Sequence, residues 1–147
     1  MIDGEYEPST WDWVREQIET YERSGGTEAN TLRDTGIPII IVTMRGHKSG
    51  KVRKIALMRV EHEGRYALIA SKGGAPENPG WYHNLVADNE VMIQDGPEPF
   101  ATTCRLVSDD ERTQWFDRGV AVFANYAEYQ QKTDREIPIF VTEPAGA

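Results

Sequence analysis

The chain has 147 residues, enough to close one hydrophobic core and too few for two ordinary domains. Its 39% apolar and 27% charged residues exclude a disordered chain, and a net charge of −8 argues against a general nucleic-acid or anionic-lipid surface. The lone Cys104 excludes an internal disulfide and a multi-cysteine zinc site, and reads as a small buried filler.

No apolar run reaches the length of a membrane span. The opening MIDGEYEPST lacks a basic stretch followed by an apolar one, so a cytoplasmic protein is expected. The charge is uneven. Arg45 to Lys54 holds five Lys/Arg and no acid, leaving 11 Lys/Arg against 24 Asp/Glu elsewhere. A concentrated basic turn on an acidic chain points to a local anion site.

Along the chain, Ser9 to Ser24 predicts a helix, with Trp11, Val14, Ile18 and Tyr21 on one face, Ser9 or Thr10 as cap, and Gly25-Gly26 as stop. That helix either docks on the core or acts as a lid, or a membrane-leaning flap, over a substrate pocket. Residues 1–30 are read as this helix and its linker, and 31–147 as the body of a single domain. Ile37 to Met44 predicts a buried strand. Arg45 to Lys51 predicts a turn, and Val52 to Glu61 and Arg65 to Ser71 two strands joined at His62-Glu63-Gly64. After a glycine-rich loop, Asn78-Pro79-Gly80-Trp81 predicts a helix start with Asn78 as cap, running to Asp88.

Asn89 to Gln94 and Phe100 to Val107 are two further strands. Ser108 to Glu111 has the pattern of a capping box before a helix carrying Trp115, Phe116, Val120 and Phe123. A helix from Asn125 to Lys132 and a strand from Ile137 to Val141 close the chain. Six short strands with three or four helices fit an α+β, mainly β fold: a small, partly open, mostly antiparallel barrel with helices outside.

Three stretches can carry chemistry. Arg45 to Arg53 combines glycines, which let amides turn toward a ligand, with long cations. On composition alone it could also be a solvated hairpin tip. Ser71-Lys72-Gly73-Gly74-Ala75 feeds a helix N-terminus, where free amides favour anions and Trp81, Tyr82 and His83 could stack on a flat ring. Phe123, Tyr126 and Tyr129 stand three residues apart, as a core stripe or as a pocket wall offering hydroxyls. His47, His62 and His83 lack metal-ligand spacing, and no nucleophile motif is present, so no metal is expected. The residues point to binding of a flat anionic cofactor that brings its own chemistry.

These segments resemble the deazaflavin-dependent nitroreductase family, also described as F420H2-dependent quinone reductases of actinobacteria. The resemblance rests on Thr43 to Gly50 with Arg53, Ala70 to Ala75, Asn78 to Leu85, Tyr126 to Gln130, Thr133-Asp134-Arg135 and Ile137-Pro138-Ile139, within residues 37–144. It implies a split β-barrel of the FMN-binding, pyridoxamine-phosphate-oxidase-like type and coenzyme F420 as cofactor. It further implies that His47, Lys48, Ser49 and Arg53, with Lys54 beside them, hold the coenzyme's phosphate and acidic tail. Ile55, Ala56, Leu57 and Met58 would line its ring. Ile69, Ala70, Ser71 and Lys72, with Gly80, Trp81, Tyr82, His83 and Asn84, would complete the cradle.

The implied reaction is hydride transfer to a quinone, enone or nitroaromatic, with Ser71, Tyr126 and Tyr129 at the acceptor. Where nitroimidazole-activating members carry tyrosines, this chain has Met58 and Phe123. Peripheral contact with a membrane, to reach lipid quinones, is compatible with this reading. The same barrel holding FMN or haem, or a deazaflavin-binding module without turnover, are the alternatives.

Overall fold

The computed structural model describes residues 2–144, so the last three residues of the segment read as 31–147 lie outside the described residues. Its elements are α1 (Asp12–Ser24), β1 (Ile39–Arg45), β2 (Val52–Met58), β3 (Glu61–His62), β4 (Arg65–Ile69), α2 (Gly80–Ala87), β5 (Glu90–Gln94), β6 (Pro99–Leu106), α3 (Asp109–Val122), α4 (Asn125–Lys132) and β7 (Ile139–Pro144). Single 3-10 turns lie at Arg33–Thr35 and Lys72–Gly74.

The strands form one seven-stranded sheet in the order β2-β1-β5-β6-β7-β4-β3, every strand pair antiparallel. The two outermost strands, β2 and β3, follow each other in the chain, and the Ala67 amide bonds the Val60 carbonyl between them (2.9 Å). The sheet therefore curls back on itself as a split half-barrel. Among the described residues, β2 pairs with no strand other than β1, which leaves a seam between β2 and β4.

Side-chain alternation divides the core. On β1, Ile40, Val42 and Met44 point into the curl, where they meet Tyr66, Leu68, Ile93, Cys104, Phe140 and Leu85 of α2. Ile39 and Ile41, on the other face, pack under Ile18 and Tyr21 of α1. Ala67 and Ile69 of β4 and Ile139 and Val141 of β7 turn outward to Trp115 of α3 and Tyr126 of α4. β1 is buried on both faces, which is why its sequence reads as an unbroken apolar run. Cys104 fills the inner core, where burial, aided by the nearby Asp88 charge, pushes its thiol up to about 12 and leaves it inert.

α1 ends as its glycines require: Gly25 adopts a left-handed conformation (φ 64°) and the Gly26 amide bonds the Tyr21 carbonyl at 2.9 Å. A Cβ on Gly26 would sit 2.9 Å from the Gly96 backbone, so the helix end rests against the turn between β5 and β6. The Tyr21 hydroxyl accepts from the Gly96 amide there (2.9 Å).

Several local expectations are corrected. α1 begins at Asp12, not Ser9, and Trp11 is its N-cap, 67% exposed rather than on the buried face. Ser9 Oγ accepts from the Trp11 amide instead of capping the helix. Asn78 does not cap α2: Pro79 holds that position, and Asn78 Oδ1 accepts from Arg135 instead (2.8 Å). Ser108 is the N-cap of α3 without a side-chain bond, and Glu111, the other half of the expected box, is drawn away into a two-pronged pair with Arg105 (2.8 and 2.7 Å). The strand expected from Val52 to Glu61 is broken after Met58, giving the short β3 as a seventh strand.

Candidate functional site

Two cavities adjoin at the seam, with the Trp81 indole lining both. The first, about 250 Å³, lies between Ala56, Leu57 and Met58 of β2, Ile69 at the end of β4, and the turn Ser71 to Gly73. Tyr126 of α4 and Pro79 form part of its wall, and Trp13, Val14 and Gln17 of α1 cover it, with Leu32 and Ile39 behind. This is an apolar slot with few polar groups. The second, about 490 Å³, is a trough lined by Gly46, His47, Lys48 and Ser49 of the β1–β2 turn, Arg53, Lys54 and Ile55 of β2, Gly80 and Asn84 of α2, and Glu7.

The turn that builds the trough is closed by backbone bonds from Gly46 to Lys51 (2.8 Å) and Gly50 to Gly46 (2.9 Å). It is tied to α2 where the His47 amide donates to Asn84 Oδ1 (3.0 Å), the His47 ring facing the same oxygen. No side chain caps α2, the Tyr82 amide turns back to the Pro79 carbonyl (3.1 Å), and a Cβ on Gly80 would meet nothing within 4 Å.

The cations of this region are largely paired. Arg45 lies by Asp88 (3.8 Å), Lys51 by Glu5 (3.6 Å), Arg53 by Glu7 (3.2 Å) and Lys54 by Glu22 (2.6 Å). Among the described residues, Lys48 alone of the five is drawn into no ion pair.

The loop on the other side of the seam is held by Arg135. Its guanidinium donates to the carbonyls of Ala75 (3.0 Å), Ala70 (3.2 Å) and Ser71 (2.9 Å), and to Asn78 Oδ1. Lys72, Gly73 and Gly74 all have positive φ, at 46°, 63° and 82°. Gly74 is required there: a Cβ would meet the Tyr129 carbonyl oxygen at 2.7 Å. Lys72 reaches outward to Glu77 (3.1 Å). Tyr126 is 3% exposed, and burial, with the neighbouring Tyr129, holds its phenol well above the usual range, so it stays protonated.

The expected site residues thus fall into groups. His47, Lys48, Ser49, Arg53, Lys54, Ile55, Gly80 and Asn84 line the trough, and Ala56, Leu57, Met58, Ile69, Ser71, Lys72 and Tyr126 line the slot, with Trp81 between. Ala70, Tyr82, His83 and Tyr129 line neither. Ala70 is buried behind the loop, and Tyr82 packs on Phe140 (5.7 Å between ring centroids). His83 is exposed, beside His47 and Tyr82, and Tyr129 packs against Phe123 and Tyr126. The sequence reading missed Glu7, Trp13, Val14, Gln17, Leu32 and Ile39. Only the lid option for α1 pointed toward any of them.

The family model for F420H(2)-dependent quinone reductase matches residues 13–144. The chain belongs to this family. It is an oxidoreductase, and its cofactor is coenzyme F420 in the reduced form. The chain is 35% identical over 107 residues to F420H(2)-dependent quinone reductase Rv1261c of Mycobacterium tuberculosis, covering 71% of this chain and 72% of that protein.

Among solved structures, an F420-H2 dependent reductase (FDR-A) is 48% identical with a TM-score of 0.69, over 72% of this chain and 94% of that one. A chain described as a domain-swapped dimer is 46% identical with a TM-score of 0.71, over 92% and 100%. A heme binding protein from Mycobacterium smegmatis, 14% identical with a TM-score of 0.57 over 84% of this chain and 50% of that one, shares the fold.

The site has the chemistry this cofactor asks for. A phosphate and an acidic tail need cations, hydroxyls and free amides, and the trough offers Lys48, Arg53, Ser49 and the uncapped end of α2. A flat ring needs an apolar slot, and one adjoins the trough at Trp81.

Proposed function

We propose that this protein catalyses reduction of a quinone by F420H2, with the deazaflavin ring in the apolar slot and the anionic tail in the trough. The observation that carries this reading is the junction itself, a slot and a cation-lined trough meeting at one indole. When bound, the reduced deazaflavin supplies the hydride. The protein's share is positioning: Leu57, Met58 and Ile69 with Trp13 and Val14 of α1 restrict both partners to a mostly apolar space.

Ser71 and Tyr126 face that space and serve the acceptor oxygen. A well-aligned donor there is worth on the order of 3 kcal/mol at the transition state. Tyr126, held neutral by burial, keeps its proton for that bond. Tyr129 supports Tyr126 by ring contact, with centroids 6.4 Å apart, rather than by touching the acceptor. Enones and nitroaromatics fit the same slot as further acceptors.

No helix among the described residues is long and apolar enough to cross a membrane. Trp11 and Trp13, 67% and 44% exposed at the head of α1, would meet a lipid surface if the acceptor is a lipid quinone.

The test is titration with oxidised F420, FMN and haem side by side, followed by acceptor-dependent oxidation of F420H2 with menadione, an enone and a nitroaromatic. Selective F420 binding and turnover with menadione are expected. F420 binding without turnover of any acceptor would leave only a coenzyme carrier, and preference for FMN or haem would end the reading.

A further inference from the structure

The segment before α1 lies along the open edge of β2. The Val52 amide donates to the Glu5 carbonyl (2.8 Å), the Glu7 amide donates to the Val52 carbonyl (2.9 Å), and Tyr6 bridges Val52 in parallel. This short strap delivers the Glu7 carboxylate into the trough. There Glu7 Oε1 accepts from Ser49 Oγ (3.3 Å) and pairs with Arg53 Nη1 (3.2 Å). A carboxylate of the chain's own thus holds the two groups best suited to a phosphate. Glu5 on Lys51 and Glu22 on Lys54 neutralise two more cations from the same end of the chain.

As a structural contact the Glu7–Arg53 pair contributes little. Both side chains are well exposed (42% and 37%), and such pairs give about 0–1 kcal/mol. Its position is what gives it consequence. Glu7 also precedes the residues matched by the family model, 13–144.

We propose that Glu7 is an internal stand-in for the coenzyme's phosphate, which must leave Arg53 and Ser49 before the tail can seat, and so sets affinity and selects for strongly anionic tails. This rests on the functional reading above. A tail with a phosphate and several carboxylates outcompetes one tethered carboxylate. A ligand lacking the phosphate makes no claim on Arg53 and gains nothing from the exchange.

The test uses the full chain and equilibrium titration, followed by the coenzyme's own fluorescence, with oxidised F420 and with the deazaflavin riboside that lacks phosphate. Wild type, Glu7→Gln, Arg53→Gln and the double variant are compared, with thermal melts confirming that each is folded. Glu7→Gln is expected to bind F420 about 2- to 5-fold more tightly, to bind the riboside as wild type does, and to lose its effect when Arg53 is also glutamine. Unchanged or weaker F420 binding by Glu7→Gln would overturn the proposal, the weaker case making Glu7 a positioner of Arg53. If wild type bound no F420 at all, the functional reading would fall first and this one with it.

Discussion

At the scale of single residues, the Arg135 guanidinium is held by three carbonyls and an amide oxygen, with no carboxylate pairing it among the described residues. An arginine so placed fixes the loop between β4 and α2, its charge answered at a distance by Glu77. Arg135→Met keeps the stem and removes the donors, leaving the loop carbonyls to find new partners. It is expected to cost about 2–3 kcal/mol, or roughly 4–12 °C in Tm, and to weaken F420 binding as Ser71 loses its anchor. Thermal melts and coenzyme titration check both, and a variant with unchanged melting would show the loop to be held by other means.

Arg135 also shows why some residues were not legible in the sequence. Asn78 before Pro79 has every local mark of a cap, yet a guanidinium 57 positions away takes its side chain. Glu111 is likewise drawn to Arg105, and Glu7 to Arg53, pairings that only the folded chain creates.

At the scale of elements, strands and helix faces were legible wherever burial imposes a period. The Ile-Ile-Ile-Val run of β1, the glycine-bounded turn after it and the α4 helix follow from side-chain pattern and turn chemistry. Cation clustering marked the trough for the same local reason. The apolar slot was hidden because its walls come from α1, β2, β4 and α4, whose meeting depends on tertiary packing.

The contact of α3 with β4 offers a probe of that slot. A Cβ on Gly119 would meet Ile69 Cδ1 at 2.5 Å and Tyr126 Cδ2 at 3.4 Å, and both residues line the slot. Gly119→Ala improves helix propensity by about 1 kcal/mol while overpacking costs about 1–3 kcal/mol, so the fold should survive. The displaced Ile69 end is expected to weaken ring or acceptor binding by about 3- to 10-fold, with stability nearly kept. Steady-state kinetics beside a urea melt separates the two effects. Equal losses in both would mean the helix, not the slot, had moved.

At the scale of the whole molecule, buried phenols tie stability to alkaline pH. Burial raises the pKa of Tyr126, Tyr66 and Tyr21, with Tyr129 adding to the first and Asp95 to the other two. In the unfolded chain these groups ionise near pH 10, while in the folded protein they hold their protons. Their contribution is therefore complete below that pH and is lost as the pH climbs toward the folded values. Urea midpoints should be level between about pH 8 and 9 and fall by about pH 11. A midpoint that stayed constant across that interval would contradict the assignment of these rings as buried and neutral.

The Tyr6 bridge to Val52 has a further consequence for the edge of the sheet. Without residues 2–8, Val52 at the head of β2 would present its bare amide and carbonyl and lengthen the open edge of that strand, a template for the backbone of another copy. A chain shortened to begin at Ser9 is expected to form larger, concentration-dependent assemblies than the full chain at the same concentration, seen as a growing scattering mass. The first few residues would then act as a selvedge, the woven border that keeps a fabric from joining the next piece.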